Sequence, residues 1–499
     1  MENEISNSTK WSFITEIVAR LVSPISNMVL ARLLTPEAFG VVATATMVFS
    51  FADMFTDSGF QKYLIQHDFK SDNEQERSTT VAFWTNMLLS LVFWALISMF
   101  SDPLAAIVGS PGMGLVLIVA CASLPLTAFS SIQMSLYKRN FDFKTLFYVR
   151  MVGTLIPLIV TVPLAFLTHS YWALIIGTLC GNLTNAIILS VKSDWKPRLY
   201  YNINVLWKML SFSFWSLVEA VAIWMTSYLD IFLIGAFLST YYLGLYKTAM
   251  TTTNQLTALI ATSMVNVLFP ALSRAQNNME EFRRIFLSFQ KKAAVFLLPM
   301  GVGIFIYRNF VVSILLGSQW AEAINFFGLW SLVSVVKIIF SNFCSEAYRS
   351  LGRPKVSVLV QISQLIVMIP AILYGASHGF DTLCIMRCLV SCELIIVNLI
   401  VIKFVADISV LNIVKNILPE IVSSLLMGLI AYMLRILKSG MLWTIFSILI
   451  CIILYFIFLL CNPSARQTYL PYMKMVFKNY IYVNNKSIIN NDRVKKVKK

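Results

Sequence analysis

Runs of about 20 apolar residues recur along this chain, separated by short stretches rich in Lys, Arg, Asn, Gly and Pro. That is the length a helix needs to cross a hydrocarbon core of about 30 Å. Backbone N–H and C=O groups find no water there, so each run is predicted to be a helix with its own hydrogen bonds closed. Fourteen spans are expected: 11–34, 38–60, 81–101, 113–136, 147–168, 171–191, 211–237, 242–272, 293–316, 323–348, 356–375, 380–405, 418–437 and 441–461. Spans 1, 2, 7 and 8 are the least apolar and carry charges or many Thr, Ser and Asn residues. Helices of that kind face a bundle interior or a water-filled cavity rather than lipid.

Composition agrees with this pattern. Only 13% of the 499 residues are charged and 58% are hydrophobic, whereas a soluble domain carries about 25% charged residues. The net charge of +15 at first suggests nucleic acid, but the spans explain it. Outside them, every Lys and Arg except Lys438 falls on the side of the membrane that holds the N-terminus. By the positive-inside rule that side is the cytoplasm, and both termini are expected there. Nucleic acid is therefore not an expected partner. The tail Arg493-Val-Lys-Lys-Val-Lys-Lys499 is expected to lie near anionic headgroups. The first apolar run is long and carries Glu16 and Arg20, unlike the core of a cleavable signal, and is expected to stay in the membrane. The eight cysteines form no Cys-x-x-Cys pair. Cys384, Cys388 and Cys392 share one helix face, where small apolar packing is their ordinary role. The three histidines, His67, His169 and His378, make no cluster, so no metal or other cofactor is expected. No G-x-x-x-x-G-K-[ST] phosphate loop is present, which argues against ATP use by this chain.

The chain repeats itself weakly. Leu34-Thr-Pro-Glu-Ala-Phe-Gly40 aligns with Leu238-Ser-Thr-Tyr-Tyr-Leu-Gly244 at an offset of 204. Tyr137-Lys-Arg with Lys144 aligns with Tyr348-Arg-Ser with Lys355 at 211, and His169-Ser-Tyr-Trp-Ala-Leu174 with His378-Gly-Phe-Asp-Thr-Leu383 at 209. Three matches in order and at nearly one offset predict a duplicated six-helix unit. Parallel repeats of this kind place a substrate path between the halves, which rock alternately. The expected organisation is a cytoplasmic N-terminus (1–10), an N-terminal lobe of six spans (11–191), a linker (192–210) and a C-terminal lobe of six spans (211–405). Two further spans (406–461) and a basic tail (462–499) complete it.

Several motifs in this order resemble the polysaccharide-transport, Wzx-type flippases. They are Arg32-Leu-Leu-Thr-Pro-Glu-Ala-Phe-Gly-Val41, Asp57-Ser-Gly-Phe-Gln-Lys-Tyr-Leu-Ile-Gln66, Tyr137-Lys-Arg-Asn-Phe-Asp-Phe143 and Tyr171-Trp-Ala-Leu174. Leu243-Gly-Leu-Tyr246, Leu268-Phe-Pro-Ala-Leu-Ser-Arg274, Leu316-Gly-Ser-Gln-Trp320 and Leu351-Gly-Arg353 follow. That family belongs to the superfamily of multidrug, oligosaccharidyl-lipid and polysaccharide exporters. The resemblance implies an all-α membrane protein with two six-helix lobes in a V shape plus two C-terminal helices, in the bacterial inner membrane. It also implies the transfer of undecaprenyl-pyrophosphate-linked oligosaccharide between leaflets, beside other polysaccharide-assembly proteins. Multidrug or cation extrusion and the flipping of peptidoglycan precursors are the alternatives within the superfamily. A polymerase or ligase of the same pathway would carry one large external loop, which this chain lacks.

A flippase must carry an anionic pyrophosphate and a sugar head past hydrocarbon, so fixed positive charge within the spans is the feature to look for. Cations retained mid-span are costly and therefore functional candidates. Lys247, Arg308, Lys337 and Arg387 are the four, all in the expected C-terminal lobe. Each is read either as substrate-facing or as paired with a carboxylate. Arg20 shares a helix face with Glu16, four residues away, and is read either as neutralised by it or as a cavity cation. Arg32, Arg150 and Arg435 sit near span ends and are expected to snorkel. Asp53 and Asp57 are also four apart. Two carboxylates on one face repel, which suits a proton or sodium site, although a helix-ending turn explains Asp57 equally well. Glu219 and Asp230 lie on one face of span 7, three turns apart, and are further candidates for ion coupling. Trp84, Trp172, Trp215 and Trp320 are expected in the interfacial aromatic belt.

Overall fold

A computed structural model describes residues 22–469 apart from Ser58, Phe141, Ser464 and Thr468. Among the described residues the secondary structure is helical throughout, with no strand. Twelve helices among the described residues are long and apolar enough to cross a membrane, or thirteen if the bent pair Thr240–Thr262 and Val267–Arg274 is one span. We number the helices α1 (residues 22–33), α2 (Pro36–Asp57), α3 (Asp72–Met99), α4 (Gly114–Arg139), α5 (Phe143–Thr168), α6 (Trp172–Lys192) and α7 (Ile203–Phe237). They continue as α8 (Thr240–Arg274), α9 (Met279–Ile306), α10 (Ser318–Ser350), α11 (Pro354–Ser377), α12 (Phe380–Ala406), α13 (Leu418–Leu437) and α14 (Met441–Cys461). Thirteen of the fourteen expected spans thus have their helix. The first falls largely outside the described residues.

The helices are built from local signals and bent by local breakers. Side chains of Ser71, Asp142, Asn202 and Asn278 accept from backbone N–H groups in the first turns of α3, α5, α7 and α9. Such caps satisfy donors that the helix itself cannot. Proline interrupts the ladder at Pro157 and Pro163 in α5, Pro299 in α9 and Pro370 in α11. Within α10, Ile338–Asn342 forms a π turn. Gln290 of α9, fully buried, donates to the Ile339 carbonyl at 3.2 Å inside that turn.

Two compact units emerge. One comprises the described residues up to Leu259 with Val311–Trp330 and Lys355–Leu394; the other comprises Ile260–Phe310, Ser331–Pro354 and the described residues from Ile395 on. The second is held by polar contacts between apolar helices. Tyr348 donates to the Asn398 carbonyl at 3.1 Å, Asn398 donates to Ser341 at 2.9 Å, and Tyr455 donates to the Val295 carbonyl at 2.8 Å.

In the first unit the two repeats meet. Gly40 in the opening turns of α2 lies against the opening turn of α8, and Gly244 of α8 lies against α2. A Cβ on Gly40 would stand 1.8 Å from the Thr240 carbonyl oxygen, and one on Gly244 would stand 1.8 Å from the Pro36 carbonyl oxygen. These are the positions paired by the 204-residue offset, so the two motifs touch each other as a symmetric crossing. Only a residue without a side chain lets two backbones come this close. The same end is fastened further. Trp320 Nε1 donates to the Ala31 carbonyl at 2.8 Å, Gln319 Nε2 donates to the Leu34 carbonyl at 3.0 Å, and Arg32 donates to the Ile314 carbonyl. Trp320 is fully buried, so the belt position expected for it is corrected: its indole fastens α1 to the start of α10.

Candidate functional site

Three helices of the first unit bring charge together inside the membrane. Asp230 lies seven residues before the end of α7, Lys247 seven residues after the start of α8, and Arg387 seven residues after the start of α12. At 1.5 Å per residue Asp230 sits about 10 Å from the C-terminal end of α7, and Lys247 and Arg387 about 10 Å from the N-terminal ends of α8 and α12. Asp230 and Arg387 are each only 4% exposed. Arg387 Nε lies 3.4 Å from Asp230 Oδ2 and donates to Tyr246 Oη at 3.0 Å, while Tyr246 Oη donates to the same Oδ2 at 2.7 Å. The second carboxylate oxygen accepts the backbone N–H of Ile231 at 2.8 Å. Arg387 Nη1 donates to Ser391 Oγ at 3.3 Å, and the guanidinium sits 5.1 Å above the ring of buried Trp330. Tyr246 stacks on Phe326 with ring centres 5.1 Å apart. A buried ion pair persists only when its other donors and acceptors find partners; here both carboxylate oxygens, Nε and Nη1 have them.

Lys247 makes this cluster more than a structural pair. Its ammonium feels the Asp230 carboxylate and lies 5.6 Å over the ring of Tyr228. Asp230 is already engaged by Arg387 and Tyr246. Two cationic side chains thus lie near one carboxylate, only Arg387 within ion-pair distance of it, and the formal charges of the three groups sum to a positive value. Polar side chains continue on α8 beyond it: Asn254 accepts from Trp330 Nε1 at 3.2 Å, and Gln255 accepts from Asn27 of α1 at 3.0 Å.

The other candidates are placed differently. Arg308 was expected within the ninth span. Instead α9 ends at Ile306, Tyr307 leaves helical geometry, and Arg308 opens a separate short helix, Arg308–Leu315. Its guanidinium donates to the Phe305 carbonyl at 3.0 Å and lies 5.0 Å over the Phe305 ring, so it caps the end of a span. Lys337 closes the α-helical part of α10 immediately before the π turn, half-buried and in the second unit with Arg308. Asp53, half-buried on α2, accepts from Thr127 Oγ1 of α4 at 3.1 Å. Arg20 and the side chains of Asp57 and Glu219 lie outside the described residues. Arg435 near the end of α13 donates to the Ile306 carbonyl at 2.9 Å, so this span-end arginine caps a neighbouring helix. Of the three cysteines on α12, Cys384 and Cys388 are buried and Cys392 is exposed.

Sequence reasoning missed two features. Tyr246 was visible only as the end of Leu243-Gly-Leu-Tyr246, and nothing in spacing said that its hydroxyl would bridge Asp230 and Arg387. Glu420, fully buried in the first turn of α13, accepts from Tyr469 Oη at 2.8 Å. Burial and that carboxylate push the Tyr469 phenol well above its ordinary range. A lone carboxylate opening an apolar span was the available signal.

A many-span helical protein whose two halves repeat one motif and pair across a crossing, with charge buried between helices, is a membrane transporter in architecture. The chain belongs to the polysaccharide biosynthesis protein family, whose model matches residues 29–325. The succinoglycan biosynthesis transport protein ExoT of Rhizobium meliloti is 24% identical over 75% of this chain and 75% of its own. The lipopolysaccharide biosynthesis protein WzxC of Escherichia coli is 20% identical over the same shares. Among solved structures, the lipid II flippase MurJ superposes with a TM-score of 0.74 at 16% identity, over 94% of this chain and 100% of its own. These likenesses bear out the Wzx-type resemblance, and the MurJ fold extends over nearly the whole molecule.

Proposed function

We propose that this protein moves undecaprenyl-pyrophosphate-linked oligosaccharide from the cytoplasmic to the outer leaflet of the bacterial inner membrane, with both termini cytoplasmic and without catalytic chemistry of its own. The observation that carries the reading is the surplus of positive charge in the Asp230–Lys247–Arg387 cluster. An anion entering the membrane needs counter-charge, and low dielectric strengthens that attraction. Arg387 is held by Asp230 and Tyr246, so Lys247 is the cation free to swing toward a pyrophosphate, with Arg387 adding its field from behind. Arg308 and Lys337 belong to the same proposal as entry or exit cations in the second unit. The transporter names of the relatives support surface polysaccharide as the destination.

Ion coupling is part of the proposal, with Asp53 the described carboxylate suited to carry a proton or sodium. Collapsing each gradient in turn in energised vesicles tests it: transport insensitive to both would remove coupling from the reading. The main test deletes the gene and follows lipid-linked oligosaccharide in inverted and right-side-out vesicles. Accumulation on the cytoplasmic leaflet, reversed by the wild-type chain and not by Lys247→Gln, is expected. Normal surface polysaccharide in the deletant, with new sensitivity to cationic dyes, would favour drug extrusion instead.

A further inference from the structure

Next to Lys247 a row of aromatic side chains runs away from the charge cluster, along α7 and α2. Tyr228 lies under the Lys247 ammonium, Trp224 stacks on Tyr228 with ring centres 5.8 Å apart and planes at 23°, and Phe51 meets Trp224 edge-on at 4.9 Å. Phe55, one turn further on α2, touches Phe51 at 5.1 Å. Trp224 and Tyr228 stand thirteen and nine residues from the end of α7, which places them about 20 and 14 Å in. The row therefore starts at the depth of the cations and reaches toward the middle of the span.

Two features set this row apart from core packing. Its rings are not covered: Phe51 is 42% exposed, and Trp224 and Tyr228 are only half-buried. Its geometry is also fixed, because Trp224 Nε1 donates to Ser50 Oγ at 3.0 Å, which locks the indole plane against α2. An ammonium facing lipid tails at this depth is costly, which favours water on the open side beside Lys247. Half-exposed Trp and Tyr at a wet boundary present an apolar face and a polar edge, the chemistry that receives the C–H face of a pyranose ring.

We propose that Phe51, Trp224 and Tyr228 form a sugar-stacking platform, with Lys247 at its end receiving the pyrophosphate to which the first sugar is attached. This rests on the function proposed above and adds to it a binding surface for the neutral part of the cargo. A cation and an aromatic face side by side match a ligand whose anionic and pyranose parts are adjacent.

The experiment titrates purified full-length protein with two probes and reads bound lipid by native mass spectrometry. One probe is undecaprenyl pyrophosphate; the other is undecaprenyl pyrophosphate carrying the oligosaccharide extracted from the producing cells. Trp224→Ala is expected to weaken the sugar-bearing lipid at least tenfold and to leave the sugar-free lipid within twofold. Trp224→Phe, which keeps a ring, should stay near wild type for both, whereas Lys247→Gln should weaken both. Tyr228→Leu offers a second route if Trp224→Ala does not fold. Equal weakening of both probes by Trp224→Ala, or of neither, overturns the platform while leaving the flippase reading standing. Wild-type protein that binds neither probe overturns both.

Discussion

Gly40→Ala should unfasten one end of the transporter. The added methyl would sit 1.8 Å from the Thr240 carbonyl oxygen and 2.7 Å from its carbon. A carbon–oxygen contact needs about 3.3 Å, so α2 and α8 must part by roughly 1.5 Å. No side chain can yield, because the obstacle is backbone. Overpacking of this kind costs about 1–3 kcal/mol, which converts to a roughly 5–150-fold shift away from the fastened conformer. Gly244→Ala should act alike, since its Cβ meets the Pro36 carbonyl at the same 1.8 Å. The double variant should show less than the sum, because both substitutions relieve themselves by one separation. Gly303→Ala in α9, where nothing lies within 4 Å of the added carbon, is the control. Hydrogen-exchange mass spectrometry of the peptides spanning Pro36–Gly40 and Thr240–Gly244 reads the opening, alongside translocation in vesicles. Gly40→Ala that exchanges and transports like Gly303→Ala would refute the reasoning.

Removing the carboxylate of Asp230 leaves the Arg387 guanidinium buried and unpaired, so Asp230→Ala should lose about 3–5 kcal/mol of stability. Thermal unfolding in detergent checks this, and the joint change Asp230→Leu with Arg387→Met should recover most of the loss while abolishing transport. Lys247→Gln should unfold at the wild-type temperature yet fail to translocate, because its role is charge rather than packing. Trp320→Phe keeps a six-membered ring but loses the indole N–H and with it the 2.8 Å bond to the Ala31 carbonyl; it should raise exchange in α1 by a few-fold at an unchanged fold. Arg308→Ala should impair transport less than Lys247→Gln, since its guanidinium also caps the carbonyl end of α9; equal loss in both would make Arg308 as central to the substrate path as Lys247.

Topology was legible in the sequence because lipid leaves a helix no alternative. Apolar run length alone placed α2 through α14 in order, although the expected ninth span, 293–316, overlaps α9, Met279–Ile306, only in part; the offset between Leu34–Gly40 and Leu238–Gly244 announced the duplication. Hydropathy could not see the break at Tyr307, which rests on backbone geometry inside an apolar stretch, and so Arg308 was read as mid-span. It could not tell a cation facing cargo from a paired one either, because pairing is made across helices. Asp230 and Arg387 are 157 residues apart and meet only when α7 and α12 pack. Asp230, read from its own helix as an ion-coupling carboxylate, is the counter-charge of a residue read as substrate-facing. The meeting of Gly40 with Gly244, and the alignment of Phe51 with Trp224, are likewise properties of two helices at once. One-dimensional periodicity records which face of a helix is apolar; which face of which other helix it meets is decided by packing in three dimensions.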